Sequence, residues 1–302
     1  MPLPLLVDLG LAGAAALATL LAATWASASP AVPAAPALAP AREAGEAIRS
    51  HRRLRALLTG RLDRTVATGF LLTLAVAFAV AAGVVLGVLA YLVRSFAALK
   101  RLDRSVAAWG YDHRTPLSHH ALDAITQLGN IEIVVVLAVV LAGLDLIRSR
   151  NRWAGPFLLA VLAGMELIST GVKDLVDRTR PALVAEAVHL GPSFPSGHSA
   201  TAAAFYAAAA LVLGRRLDHR KRQVLAAVAA GLAVAVAGSR VLLDLHWLSD
   251  VVGGLALGWG WFALCAVIFG GRLLRSTAAV ETASATGRVD AYETCQPAPP
   301  GP

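Results

Sequence analysis

His246 and Asp250 stand four residues apart, a spacing that makes two side chains neighbours on one helix face. A carboxylate bonded to one imidazole nitrogen fixes the tautomer and leaves the other nitrogen free to attack an electrophile. Ser239-Arg240 precedes the pair and brings a cation to it. A second cluster, Pro195-Ser196-Gly197-His198, opens an apolar run. Its position suits a helix N-terminus, where unpaired N–H groups and the positive dipole end receive anions. Gly197 lets a ligand approach the backbone, Ser196 adds a hydroxyl, and His198 can hand over a proton near neutral pH. The third cluster holds Lys173 and, seven residues on, Arg180 before Pro181. Seven residues are about two helical turns, so both cations project to nearly the same side. Arg offers a planar fork to oxyanions and Lys a point charge.

Each cluster alone also admits a plainer reading. Lys173 and Arg180 suit interfacial anchors whose stems snorkel along apolar surface. Pro-Ser-Gly-His suits an ordinary helix start with an incidental histidine, and His246–Asp250 suits a pair capping the next helix. Together they are harder to dismiss, because three cations meeting near a low-dielectric region repel unless an anion or several acids balance them. Asp174, Asp177, Asp244 and Asp250 are the acids at hand.

The elements that must position these clusters are apolar helices. The chain is 57% hydrophobic and 15% charged, with mean hydropathy +0.65, far from the balance of a soluble domain. Six blocks are long enough to cross a bilayer, at roughly 67–93, 130–147, 154–173, 198–214, 223–240 and 249–270. Continuous apolar blocks of this length exclude alternating barrel strands. The predicted fold is therefore an all-α integral membrane protein, a six-transmembrane-helix bundle. The net charge of +8 comes from 24 Arg and 3 Lys against 19 acids. Those cations gather at span ends, which points to membrane topology and away from a nucleic-acid partner. Arg42 to Arg64, Arg148 to Arg152, Arg215 to Arg222, and Arg272 with Arg275 all fall on one side of a six-span bundle, the cytoplasmic side by the positive-inside rule. The three polar clusters then face the extracytoplasmic side. The loop 94–129 carries cations of its own and is predicted to hold a short amphipathic helix along the membrane surface. Residues 5–26 form a further apolar block. Ala26-Ser27-Ala28 resembles a signal cleavage site, but no Lys or Arg precedes the block. An extra N-terminal helix keeps the Arg-rich segment inside and fits the charges better. The predicted division is 1–65, an apolar segment with an Ala/Pro linker and an Arg-rich stretch; 66–272, the six-helix unit; and 273–302, a disordered tail. Two cysteines, Cys265 in an apolar block and Cys295 in the tail, make neither a disulfide framework nor a metal cluster.

At this point the sequence resembles a known family. Lys173-x6-Arg180-Pro181, Pro195-Ser196-Gly197-His198 and Ser239-Arg240-x5-His246-x3-Asp250 reproduce, in order and without departure, the three-part signature of the type-2 phosphatidic acid phosphatase superfamily. That superfamily also contains vanadium haloperoxidases and bacterial acid phosphatases. The likeness extends over about residues 100–270. It implies a membrane lipid phosphatase in which His246 is the nucleophile that becomes phosphorylated. Asp250 orients it, and His198 is the acid that protonates the leaving oxygen. Lys173, Arg180, Arg240, Ser196 and Gly197 hold the phosphoryl oxygens. No metal or other cofactor is required, because cations take the charge-neutralising role. The substrates it implies are phosphatidic acid, phosphatidylglycerol phosphate or undecaprenyl diphosphate; the motifs choose neither the lipid nor an oligomeric state. A phosphotransferase using the same phosphohistidine is the nearest alternative. A lipid-phosphate transporter or flippase is the alternative from another class, and it would need the cations but not His246, Asp250 or His198.

Outside the clusters, Glu166 lies in a span seven residues before Lys173 and is predicted to face the bundle interior. Asp145 and Glu132 sit near span ends, where interfacial solvation accounts for them. His113, His119 and His120 read as solvated loop residues.

Overall fold

The computed structural model describes residues 3–28, 67–182 and 189–293, with side chains over 3–19, 75–182, 189–269 and at 273. Among these residues there are nine helices and no strand: α1 Leu3–Ala28, α2 Ala67–Ser95, α3 Ala97–Asp112, α4 Pro116–Gln127, α5 Ile131–Ser149, α6 Ala154–Val176, α7 Gly197–Gly214, α8 His219–Leu242 and α9 Leu248–Glu293. Segments of α2 and α9 and the whole of α6, α7 and α8 are long and apolar enough to cross a membrane. The sixth expected span is α5, which meets α4 at a bend of 46° and together with it is long and apolar enough to cross a membrane. The bend has local causes. The Asn130 side chain caps α5 by accepting from the Glu132 N–H at 3.0 Å. Gly129 passes so near α7 that a Cβ there would stand 3.0 Å from the His198 carbonyl oxygen.

α7 is the central helix, with α5, α6, α8 and α9 packed around it. It is built from alanines, of which Ala200, Ala202, Ala203, Ala204 and Ala208 are fully buried. Small residues let the neighbouring backbones approach closely, as membrane helix interfaces require. α9 answers with Gly254 and Gly258, where a Cβ would stand 2.5 Å from the Ser196 carbonyl oxygen and 2.3 Å from that of Ala200. The outer helices are apolar on the outside instead. On α2, Val80, Val84 and Tyr91 are each more than half exposed, and on α5 so are Val136 and Ile147, the surface expected of a bundle solvated by lipid.

Two elements differ from the sequence reading, and the expected N-terminal helix is present as α1. The loop 94–129 forms two helices, α3 and α4, and α3 packs on α8 and α9 through Asp103, Ala107 and Gly110. α1 lies along α8, where a Cβ on Gly231 would stand 3.2 Å from the Ala12 carbonyl oxygen. α9 runs on to Glu293 through the segment predicted to be disordered. Its Ala, Glu and Arg residues favour helix, a preference that composition alone read as low complexity. Residues 29–66, which hold the linker and Arg-rich stretch, and the final residues with Cys295 lie outside the described part.

Candidate active site

The three polar clusters meet at one end of the bundle, where α6 and α8 finish and α7 and α9 begin. The turn after α8 folds back tightly. The backbone N–H groups of Leu245 and His246 both donate to the Arg240 carbonyl, at 3.1 and 3.2 Å. Asp244 takes a left-handed conformation, φ 58°. Its buried carboxylate is held by Arg114 at the C-terminal end of the α3–α4 connection. The turn delivers His246 directly above the start of α9. The Ser196 N–H donates to the Asp250 carbonyl at 3.0 Å, which ties the starts of α7 and α9 together.

His246 is 2% exposed and Asp250 is fully buried. Asp250 Oδ1 accepts from Arg178 at 2.6 Å, and Oδ2 accepts from the Trp247 N–H at 2.9 Å. His246 Nδ1 faces Oδ2 at 3.6 Å, an electrostatic contact just beyond hydrogen-bond length. On the other side of the ring, Nε2 lies 2.9 Å from Arg180 Nη1. A guanidinium has only donors, so Nε2 must offer its lone pair and the ring proton belongs on Nδ1, toward Asp250. Burial pushes the His246 imidazole down to about 4; the facing Asp250 opposes this and the Arg180 charge adds to it. The ring is therefore neutral at pH 7, with its lone pair on the nitrogen away from the carboxylate. That is the state a nucleophile needs.

Arg180 is anchored by further bonds, from Nε to the Gly191 carbonyl at 2.9 Å and from Nη1 to the Leu245 carbonyl at 2.7 Å. Lys173 extends over the start of α7, where a Cβ on Gly197 would stand 3.4 Å from its Nζ. Arg240 is buried and donates to Thr126 Oγ1 of α4 at 3.2 Å. Arg240, His246, Lys173 and Arg180 are the positive or protonatable groups within electrostatic reach of His198. None of Lys173, Arg180 and Arg240 forms an ion pair among the described residues. Three cations within reach of His198, none of them in an ion pair, suit a multiply charged anion. All the sequence-predicted site residues are thus brought together. Ser196 has a further job: its Oγ caps α7 beside Ser199, whose hydroxyl donates to it at 2.9 Å. Among the described residues, no group of three or more His, Cys, Asp or Glu side chains has a metal-holding arrangement.

The sequence reading missed Arg178 and Asp103. Arg178 donates to Asp250 and to Ser249 Oγ through Nη1, and to Asp103 Oδ2 through Nη2 at 2.7 Å. Asp103, 1% exposed, also accepts from the Ser249 N–H and hydroxyl at 3.0 and 2.6 Å. Arg178 hid among the unspecified positions between Lys173 and Arg180. The signal for Asp103 was an acid on the apolar face of an amphipathic helix. Two other expectations are corrected. Glu166 is exposed on α6, borders a groove of about 670 Å³ between α5 and α6 rather than the bundle interior, and lies within electrostatic reach of Lys173. Asp145 is buried and paired with Arg215, the residue that follows α7, so the end of α5 meets the α7–α8 connection.

Residues 154–273 match the profile of the PAP2 superfamily. Phosphatidylglycerophosphatase B of Bacillus subtilis (strain 168) is 30% identical over 163 residues, covering 53% of this chain and 80% of the relative. Lipid A 1-phosphatase of Rhizobium etli is 33% identical over 126 residues, 38% of this chain and 50% of the relative. Decaprenylphosphoryl-5-phosphoribose phosphatase of Mycobacterium tuberculosis is 33% identical over 145 residues, 45% of this chain and 72% of the relative. Among solved structures, the transmembrane PAP2 type phosphatidylglycerolphosphate phosphatase from Bacillus subtilis superposes with a TM-score of 0.60 at 26% identity, over 64% of this chain and 96% of that one.

Proposed function

This chain belongs to the PAP2 superfamily, in its membrane-embedded phosphatase branch, and we propose that it hydrolyses the terminal phosphate of a membrane lipid through a phosphohistidine on His246. The observation that carries this reading is the buried His246, set between Asp250 on its Nδ1 side and Arg180 on its Nε2 side, with Arg240 within electrostatic reach. His246 Nε2 attacks phosphorus as the bond to the lipid oxygen breaks, and His198 gives that oxygen its proton. Water then attacks phosphorus, the P–N bond breaks, and His198 takes the water's proton. Lys173, Arg180 and Arg240, with the Gly197 backbone and Ser196 at the α7 N-terminus, hold the phosphoryl oxygens as charge moves onto them. Asp250 supports the charge that His246 gains. No step calls for a metal or cofactor.

The substrate class follows from where the site lies. It sits at the end of a lipid-solvated bundle, so a lipid can present its phosphate while its chains stay in the bilayer. Phosphatidylglycerol phosphate leads the choice, because a relative matched over 80% of its length is named for it; phosphatidic acid and undecaprenyl diphosphate are the further candidates. Orientation is argued from charge. The Arg-rich connections α5–α6 and α7–α8 lie at the end opposite the site, which supports an extracytoplasmic site and a cytoplasmic C-terminus. Residues 66–272 are then the phosphatase unit.

The test is phosphate release by purified protein in detergent with EDTA, from each of the three lipids, for wild type and His246→Ala. Release that survives EDTA and disappears in the variant supports metal-independent histidine catalysis, and the preferred lipid names the substrate. Undiminished release from His246→Ala would overturn the phosphohistidine. Lipid-to-lipid transfer of labelled phosphate would give the phosphotransferase, and binding of lipid without release would give the transporter.

A further inference from the structure

A second basic cavity lies beside the proposed site, on the far side of Arg178. It has a volume of about 520 Å³ and is bordered by the end of α2, one face of α3, the end of α6 and Trp247. Its cations are Arg94, Lys100, Arg104 and Arg178; its acids are Asp103 and Asp177. The acids do not neutralise it. Asp103 is spent on Arg178 and Ser249 beneath the cavity floor. Arg178 in turn is shared between Asp103 and Asp250 and stacks under the Trp247 ring at 5.4 Å. Lys100 and Arg104 are one turn apart on α3, hence on one face. Neither forms an ion pair among the described residues. Lys100 uses one donor on the Arg94 carbonyl at 2.7 Å. Arg94 turns its Nη2 and Nε to the last carbonyls of α6, at 2.5 to 3.3 Å. These bonds hold the cations in place and leave donors to spare on each.

We propose that this cavity is a second phosphate-binding site, taking the phosphate of an anionic lipid head group or free phosphate alongside, and separately from, the phosphoryl group at His246. The separation is physical, because the Arg178 guanidinium and the Trp247 ring stand between the cavity and the His246–Asp250 pair. Phosphate suits the cavity better than a carboxylate, because three cations from two helices can share its several oxygens. The site stands independently of whether His246 hydrolyses anything.

Calorimetric titration of the detergent-solubilised full chain with inorganic phosphate tests this, beside titration with phosphatidylglycerol, a diester with no terminal phosphate to remove. The proposal expects two phosphate sites in wild type. Lys100→Gln/Arg104→Gln removes one of them and Arg180→Gln the other. The α3 double variant, at one half-buried and one exposed position, is expected to keep the wild-type melting temperature. Phosphatidylglycerol binding that weakens at least tenfold in the α3 variant, and not in Arg180→Gln, identifies a lipid head group as the source; phosphate binding alone identifies the free ion. A single phosphate site, lost in Arg180→Gln and untouched in the α3 variant, with phosphatidylglycerol binding equal in all three proteins, overturns the proposal.

Discussion

Arg180 Nη1 donates to His246 Nε2 across 2.9 Å, so the nitrogen proposed to attack phosphorus is covered by the cation proposed to bind it. An arriving phosphate can relieve this by drawing the guanidinium to its own oxygens, a charge-assisted exchange that frees the lone pair where the phosphorus will be. The same contact helps keep His246 neutral.

A pH profile follows from that contact. Burial, with Arg180 adding to it, holds the His246 imidazole down at about 4, so the nucleophile stays available until pH falls through that value. The acid limb of kcat/KM that His246 governs is expected near pH 4. Arg180→Gln removes a phosphate ligand, for which kcat/KM should fall by about 10²–10³. It also removes a cation that disfavours the imidazolium, so the acid limb should move up toward the ordinary imidazole value. A profile lowered in height with its acid limb unmoved would show that Arg180 does not act on His246.

Asp250→Asn tests the tautomer. An amide in place of the carboxylate can present its NH₂ to Nδ1 and place the ring proton on Nε2, which removes the attacking lone pair. By analogy with other His–Asp pairs, kcat should fall about 10⁴-fold, with phosphoenzyme no longer trapped on alkaline quenching, which preserves a P–N bond, and the melting temperature little changed. Phosphoenzyme formed at the wild-type rate would mean that Asp250 does not set the tautomer.

Asp103 holds Arg178, and Arg178 holds Asp250. Asp103→Asn leaves Arg178 with one acid in place of two, in surroundings where Asp103 itself is 1% exposed. Breaking a buried pair costs about 3–5 kcal/mol, so a lower melting temperature is expected. The functional signature is a fall in kcat of at least tenfold with KM within twofold, because no residue proposed to touch the phosphate is altered. A rise in KM at constant kcat would place Asp103 in binding instead.

The bundle, the meeting of the three clusters and the neighbourly spacing of His246 and Asp250 were legible in the sequence, because apolar length and helical periodicity are properties of single segments. The support for Asp250 was not, since it joins α3 to the segment after α6 and to the start of α9, and no periodicity links Asp103 to Arg178 across 75 residues. Glu166 and Asp145 were misjudged for a related reason. Whether an acid in a span faces a groove or a buried arginine depends on how α5, α6 and α7 pack, which each helix's own sequence does not state.

Gly258 sets how closely α9 meets α7. A Cβ there would stand 2.3 Å from the Ala200 carbonyl oxygen and 2.8 Å from the Ala203 Cβ, and a backbone oxygen inside a helix cannot step aside. Gly258→Ala must therefore push α9 away from α7, and with it Asp250 and the turn that carries His246 away from His198. Loss of both melting temperature and kcat is expected. Gly171, on the outer side of α6, has nothing within 4 Å of an added Cβ. Gly171→Ala makes the same chemical change at an open position and should be neutral or gain about 0.5–1 kcal/mol from helix propensity. Thermal denaturation in detergent beside kcat for the two variants separates packing from propensity. Equal effects from both would show that the α7–α9 contact does not hold the two halves of the site in register.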